Sequence, residues 1–248
     1  MGLGISAVEL LTYRNDRGEA EIPLKRVKGN LQHDIEREYN ETIDEIIYYD
    51  ALAHRYFDDS AKTDDILKAV VYALKRLQTK KIYYISDEDS RNSFVSEQVA
   101  AQMTEKGYSC ADQQPGGVGA SGKSPGERDF VVKNKNGVDL LIYEALNLKN
   151  FNSSYINKHI QKLLNNYNPM GLHQGVLVTY LECERDKFKG FTDQYRENVS
   201  VYAPAPFSCL GKPEDIRYEG VFLSCMKMKY EVGGVLFVIY HIVVRVAA

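Results

Sequence analysis

An aspartate, Asp129, opens one apolar segment, RDFVVK, and a glutamate, Glu144, lies inside the next, VDLLIYEALNL. Between them runs NKNG, and an Asn-Gly pair between two apolar runs predicts a tight hairpin. Adjacent strands then carry two carboxylates that can share one divalent cation, Mg²⁺ or Mn²⁺, whose remaining positions suit water and phosphate. An acid inside an apolar strand is unfavourable by several kcal/mol if buried unpaired, so Glu144 reads as a functional group. Glu97 lies on a predicted helix upstream, beside the small residues Ala100 and Ala101. Lys158, His159, Gln161 and Lys162 lie on a predicted helix downstream, on its polar side. Lysine and glutamine are side chains that contact phosphates.

A second constellation matches a phosphate loop letter for letter: residues 117–124, GVGASGKS, fit G-x-x-x-x-G-K-[ST]. That loop works only between a buried strand and a helix that starts at the lysine, where backbone N–H groups and the helix dipole face the phosphates. The preceding YSCADQQP is polar, and Pro125, Gly126 and a strand-like run follow Ser124. The stretch reads as a loop leading into a strand.

The elements that must position these residues follow from periodicity. AVELLTYR and AEIPLKRV, joined by NDRGE, predict an N-terminal hairpin. Residues 34–59 have helical spacing at Ile35, Tyr39, Ile43 and Ile46. A second helix fits residues 64–78, with aspartates in its first turn and bases in its last, as the helix dipole favours. KIYYIS reads as a short strand. NSFVSEQVAAQMTEKG reads as a helix ending at Gly107. SSYINKHIQKLLNNYN reads as a helix capped by Ser153 or Ser154, GVLVTYL as a buried strand, and 187–195 as a helix. Two long strands meet at Gly233-Gly234, and His241 in the second reads as a core histidine. The predicted fold class is α/β, with residues 1–79 as a hairpin and acidic helical segment and 80–248 as the main domain.

Residues 93–181 resemble the PD-(D/E)xK nuclease-like superfamily, the restriction-endonuclease fold. The likeness is carried by the helix with Glu97, by Gly126-Glu127-Arg128-Asp129, the hairpin, Glu144-Ala145-Leu146, and the helix and strand that follow. It implies a mixed sheet flanked by helices and Mg²⁺-dependent (or Mn²⁺-dependent) hydrolysis of DNA, as in a bacterial defence nuclease or effector subunit. It assigns metal binding to Asp129 and Glu144, a supporting catalytic role to Glu97, and phosphate or water contacts to Gln161 and Lys162. Leu146 stands where the family has its motif lysine. Lys133, on the face of Asp129, Lys162 or His159 could take that place. Lys158, His159, Gln161 and Lys133 are the candidate nucleic-acid contacts. If no base reaches Glu144, a module that binds nucleic acid or a partner protein without cleaving is the alternative.

Composition fits this reading. The 248 residues carry 31 Lys and Arg against 34 acids, a net charge of −3, which excludes an overtly basic nucleic-acid coat. The sum is uneven: residues 34–65 hold 11 acids and 3 bases, whereas 121–165 hold 7 bases and 4 acids. A weakly basic groove is thus offset by an acidic preface suited to oligomer or partner contacts. Four dispersed cysteines argue against a disulfide scaffold or zinc site and for a cytoplasmic setting. The longest apolar run, 235–246, is too short to cross a membrane.

Overall fold

The computed structural model describes residues 14–15, 18–19, 63–116, 126–166, 174–218 and 220–247. Two compact units emerge, Met1–Arg55 and Tyr56–Ala248. In the first, β1 (Arg14–Asn15) and β2 (Gly18–Glu19) pair antiparallel, which is the apex of the expected hairpin. Its remaining strand residues and the expected helix over 34–59 lie outside the described residues.

The second unit starts before residue 80. Helix α1, residues 63–78, buries Ile66, Leu67, Val70, Leu74 and Leu77 in the main core. Each such side chain contributes about 1.5–3 kcal/mol on burial. The helix expected in the N-terminal segment is therefore part of the main domain.

The main unit is a mixed eight-stranded sheet flanked by helices. Its path runs β3 (Ser109–Gly116), β4 (Gly126–Lys133), β5 (Asp139–Leu148), β6 (Gln174–Leu181), β10 (Val235–Arg245), β9 (Leu223–Val232), β7 (Ser208–Cys209), with β8 (Glu214–Asp215) also on β9. β5, β6 and β10 are mutually parallel and every other pair is antiparallel. Parallel neighbours must be buried on both faces, and β6 is buried at every position. One face carries α1 and α2 (Glu88–Met103), the other α3 (Ser153–Gln161) and α4 (Lys187–Val201). Alternation along β5 follows: Tyr143 and Ala145 join the α1–α2 side, Ile142, Leu146 and Leu148 the α3–α4 side.

Local chemistry accounts for the turns. Gly107 sits at φ +78° after a 3-10 turn that ends α2, and Gly233 and Gly234 take φ +57° and +81°, the mirror-image turn that suits a right-twisted hairpin. Asn134 Oδ1 accepts from Asn136 and Val138 N–H and closes the NKNG turn around Gly137 at φ +75°.

Three expectations change. KIYYIS is not a strand: Lys81–Tyr84 is a 3-10 turn. α2 begins at Glu88, capped by Asp87, rather than near residue 92. The cap of α3 is Asn152, whose Oδ1 accepts from Tyr155 N–H, rather than Ser153 or Ser154. Among the described residues no helix is long and apolar enough to cross a membrane, and the four cysteines form no disulfide.

Candidate active site

The β4–β5 hairpin builds the floor of the site. Its register pairs Phe130 with Tyr143, whose rings stack at 4.0 Å. Continued by one residue, that register sets Asp129 opposite Glu144. Ala145 N–H donates to Asp129 Oδ2 at 2.6 Å, which pins the aspartate to the neighbouring strand.

Glu144 is 1% exposed and is met from α3 by two donors on one oxygen. His159 Nδ1 lies 2.7 Å and Lys162 Nζ 2.8 Å from Oε1. A carboxylate only accepts, so Nδ1 carries the proton and the imidazole tautomer is set by this bond. His159 and Lys162 are three apart and share a helix face. Lys162 also opens a π-helical turn, Lys162–Asn166, with Leu163 and Leu164 packed inward. The other oxygen of Glu144, Oε2, is buried without a hydrogen-bond partner, a bare acceptor that a cation would satisfy.

Glu88, which sequence reasoning missed, completes the cluster from the first turn of α2. It is half-buried, and the Asn147 backbone on β5 is among the groups that pull its carboxyl pKa down. Burial first, and then the charge of Glu144, push the Glu88 carboxyl up to about 7 and that of Asp129 up to about 8, against the pull of Lys162 and the two backbone donors. Strong upward shifts of neighbouring carboxyls mark functional sites more often than structural ones. The signal for Glu88 was present in ISDEDS: an N-cap aspartate with two acids in the first turn.

The other expected residues fall elsewhere. Glu97 is exposed on α2, nine residues beyond Glu88, about 13 Å along the axis at 1.5 Å per residue. Lys133 does not reach Glu144. A register shift between Val132 and Lys133 turns it toward Asp139, which it bonds together with Arg128. His159 is buried behind Glu144 at 4% exposure, which turns it from a nucleic-acid contact into a carboxylate holder. Lys158 and Gln161 are exposed on α3. Leu146 is fully buried among Ile142, Leu148 and Ile160, so the motif-lysine position belongs to the core. As for the phosphate-loop match, β3 precedes it and strand β4 begins at Gly126, pairing with Gly116, where a nucleotide loop needs a helix. His241 is a core residue: Tyr195 Oη lies 3.1 Å from its Nδ1, and burial pushes it down to about 3, leaving it neutral.

Two expected results follow from this arrangement. Glu97→Ala should leave any activity of the site within about twofold, as for a surface change away from the chemistry, while Glu88→Gln should reduce it strongly; parallel rate measurements separate the two. The second concerns pH. The native state holds protons on Glu88 and Asp129 that the unfolded chain, with ordinary carboxyls near pH 4, has released. Stability of the metal-free protein should therefore fall as pH rises from about 4 to about 8. Urea midpoints across that range should show the slope, and Glu88→Gln with Asp129→Asn should flatten it.

Compared with protein-family models, with curated proteins and with solved structures, the chain has no match. Among the described residues no group of three or more His, Cys, Asp or Glu is arranged to hold a metal ion. The donors that could face a hard cation are the carboxyls of Asp129 and Glu144, whose charge is felt by Glu88 on α2.

Proposed function

We propose that the main unit is a restriction-endonuclease-like domain that hydrolyses phosphodiester bonds of DNA with a divalent metal, Mg²⁺ or Mn²⁺. One observation carries the reading: a lysine from the following helix occupies the carboxylate on which the family's motif lysine would bear. Lys162 arrives at Glu144 from α3 while Leu146 lies in the core. The all-oxygen carboxylate pair and the bare, buried Oε2 of Glu144 suit a hard cation. Such an ion, when bound, would polarise the phosphate and lower the pKa of a coordinated water.

The chain's own residues do the rest. Asp129 and Glu144 set two carboxyls side by side on a rigid hairpin, and a bound cation would displace the proton that burial keeps on Asp129. The Lys162 ammonium sets a positive charge beside them, placed to orient water and offset charge on the phosphate. His159 keeps Oε1 in place from behind, and Lys158 and Gln161 offer exposed donors for the flanking phosphates. Residue types at these positions say nothing about base preference.

The expected result is that Asp129→Asn and Glu144→Gln each abolish Mg²⁺-dependent nicking of plasmid DNA while the far-ultraviolet circular dichroism is retained. Cleavage surviving in both variants would overturn the assignment. One observation favours the alternative of a binding module without cleavage: the Lys162 ammonium already pairs with Glu144, and His159 bonds the same oxygen. That reading expects the parent protein to bind duplex DNA, in Ca²⁺ or Mg²⁺, and never to cut it.

A further inference from the structure

The run YINKHIQK puts Tyr155, His159 and Lys162 at i, i+4 and i+7, so one stripe of α3 carries all three. His159 and Lys162 both bond Oε1 of Glu144, which fixes that stripe over the carboxylate. Tyr155 is the first of the three and belongs to the capped turn, its N–H donating to Asn152 Oδ1. Its ring meets the His159 ring edge-on, with centroids 4.7 Å apart and planes at 73°. The same ring packs against the apolar cluster that holds Leu146 and Ile156, yet the residue stays partly open to water. The ring is thus held by its neighbours on the stripe of the helix that faces Glu144.

The hydroxyl at the end of that ring is not spent on the fold. Among the described residues no group bonds Tyr155 Oη, whereas the fully buried Tyr143 and Tyr180 bond each other at 2.8 Å. Yet Oη stands in the field of both proposed metal ligands, of Glu88 and of Lys162. Burial first, and then the charge of Glu88, push the phenol up; Glu144 and Asp129 add to the push and Lys162 opposes it. At neutral pH it is therefore an O–H, a donor without charge of its own. The carboxyls offer oxygens that suit a cation, and the Lys162 ammonium is drawn to Glu144 at 2.8 Å. Tyr155 adds a rigid donor for an oxygen of the phosphate. A second ammonium in its place would compete with the cation for the carboxyls; a phenol does not.

We propose that Tyr155 is a catalytic residue: its Oη donates a hydrogen bond to a non-bridging oxygen of the phosphodiester that is cut. The inference rests on the nuclease reading and deepens it by naming a contact to the reacting phosphate. The bond moves no proton. It strengthens as negative charge gathers on that oxygen in the transition state, so it acts on kcat more than on binding.

The test uses the full chain and its Tyr155→Phe and Tyr155→Leu variants, with melting temperature as the check on folding. Tyr155→Phe keeps the ring and its contact with His159, and should melt within about 2 °C of the parent. On a duplex that the parent cuts at one mapped linkage, in Mg²⁺, its kcat should fall on the order of 10- to 100-fold. Its Kd for the same duplex in Ca²⁺ should stay within about twofold, because the other phosphate contacts are untouched. Tyr155→Leu, which removes the ring as well, should lose at least as much rate. The duplex is then made with sulfur in place of each non-bridging oxygen of that linkage in turn. Sulfur accepts a hydrogen bond weakly. At the oxygen that Tyr155 meets, it should slow the parent and leave Tyr155→Phe nearly unaffected; at the other oxygen the two proteins should respond alike. Tyr155→Phe cutting within about twofold of the parent overturns the proposal, and a slow Tyr155→Leu beside it makes the ring the part that matters. A slow Tyr155→Phe that responds to sulfur as the parent does at both oxygens also overturns it, and makes Tyr155 a positioning residue acting through His159. Both results leave the nuclease reading intact. A parent that cuts no DNA removes the nuclease reading and this assignment together.

Discussion

Lys162→Ala is expected to lower plasmid cleavage on the order of 10³-fold, the loss typical of removing a charged group aimed at the reacting phosphate. Binding to DNA in Ca²⁺ should change little, because one phosphate-side cation among several exposed lysines is a small part of the total. The fold should persist. Glu144 keeps the 2.7 Å bond to His159 Nδ1, and the lysine side chain is itself a quarter exposed. Lys162→Arg should recover only part of the activity, since a planar guanidinium cannot take the place of a compact ammonium. Lys158→Ala is the control: exposed on the same helix, it should weaken binding about equally across sequences and lower the salt dependence, with kcat unchanged. If Lys162→Ala cuts within about threefold of the parent, the ammonium at Glu144 is a structural counter-ion and the binding-module reading gains.

Much of this site is legible in the order of residues. Asp129 and Glu144 stand out because the hairpin that pairs them is announced by Asn136-Gly137 and by apolar runs on either side. The helix bearing His159 and Lys162 has a regular apolar stripe, and the long strands meeting at Gly233-Gly234 are equally plain. What escapes is set by features without a repeating signal. Glu88 escapes because α2 starts six residues before its apolar stripe does, in a polar DEDS run where only the cap marks the helix. Lys133 shares a face with Asp129 by strict alternation, but one irregularity after Val132 hands it to Asp139. KIYYIS has the composition of a strand and forms a 3-10 turn because Arg91 takes its carbonyls, a partner that sequence spacing does not reveal. Residues 63–78 show their helix but not their allegiance; that depends on a sheet assembled from segments far downstream.

The same arginine carries the largest expected effect on stability. Arg91→Ala should lower the free energy of unfolding by about 3–5 kcal/mol, the range for removing one partner from a buried ionic cluster. Four acceptors lose a donor at once: Tyr83 O, Tyr84 O, Asn147 Oδ1 and Glu182 Oε1. A cavity also opens beneath the turn, against the Tyr180 ring that the guanidinium faces at 5.6 Å. Arg91→Met refills most of the volume, so the difference between the two variants in urea midpoint isolates the polar part. Arg91→Lys keeps the charge but can meet only some of the four acceptors, because they are arranged for a fork. The consequence reaches the chemistry through Asn147, whose side chain Arg91 holds on β5, three residues beyond Glu144. At a temperature where Arg91→Lys is still folded, its cleavage should therefore fall more than its folded fraction does. A variant whose activity tracks only its folded fraction would make Arg91 a structural residue and would separate the anchoring of the turn from the geometry of the carboxylates.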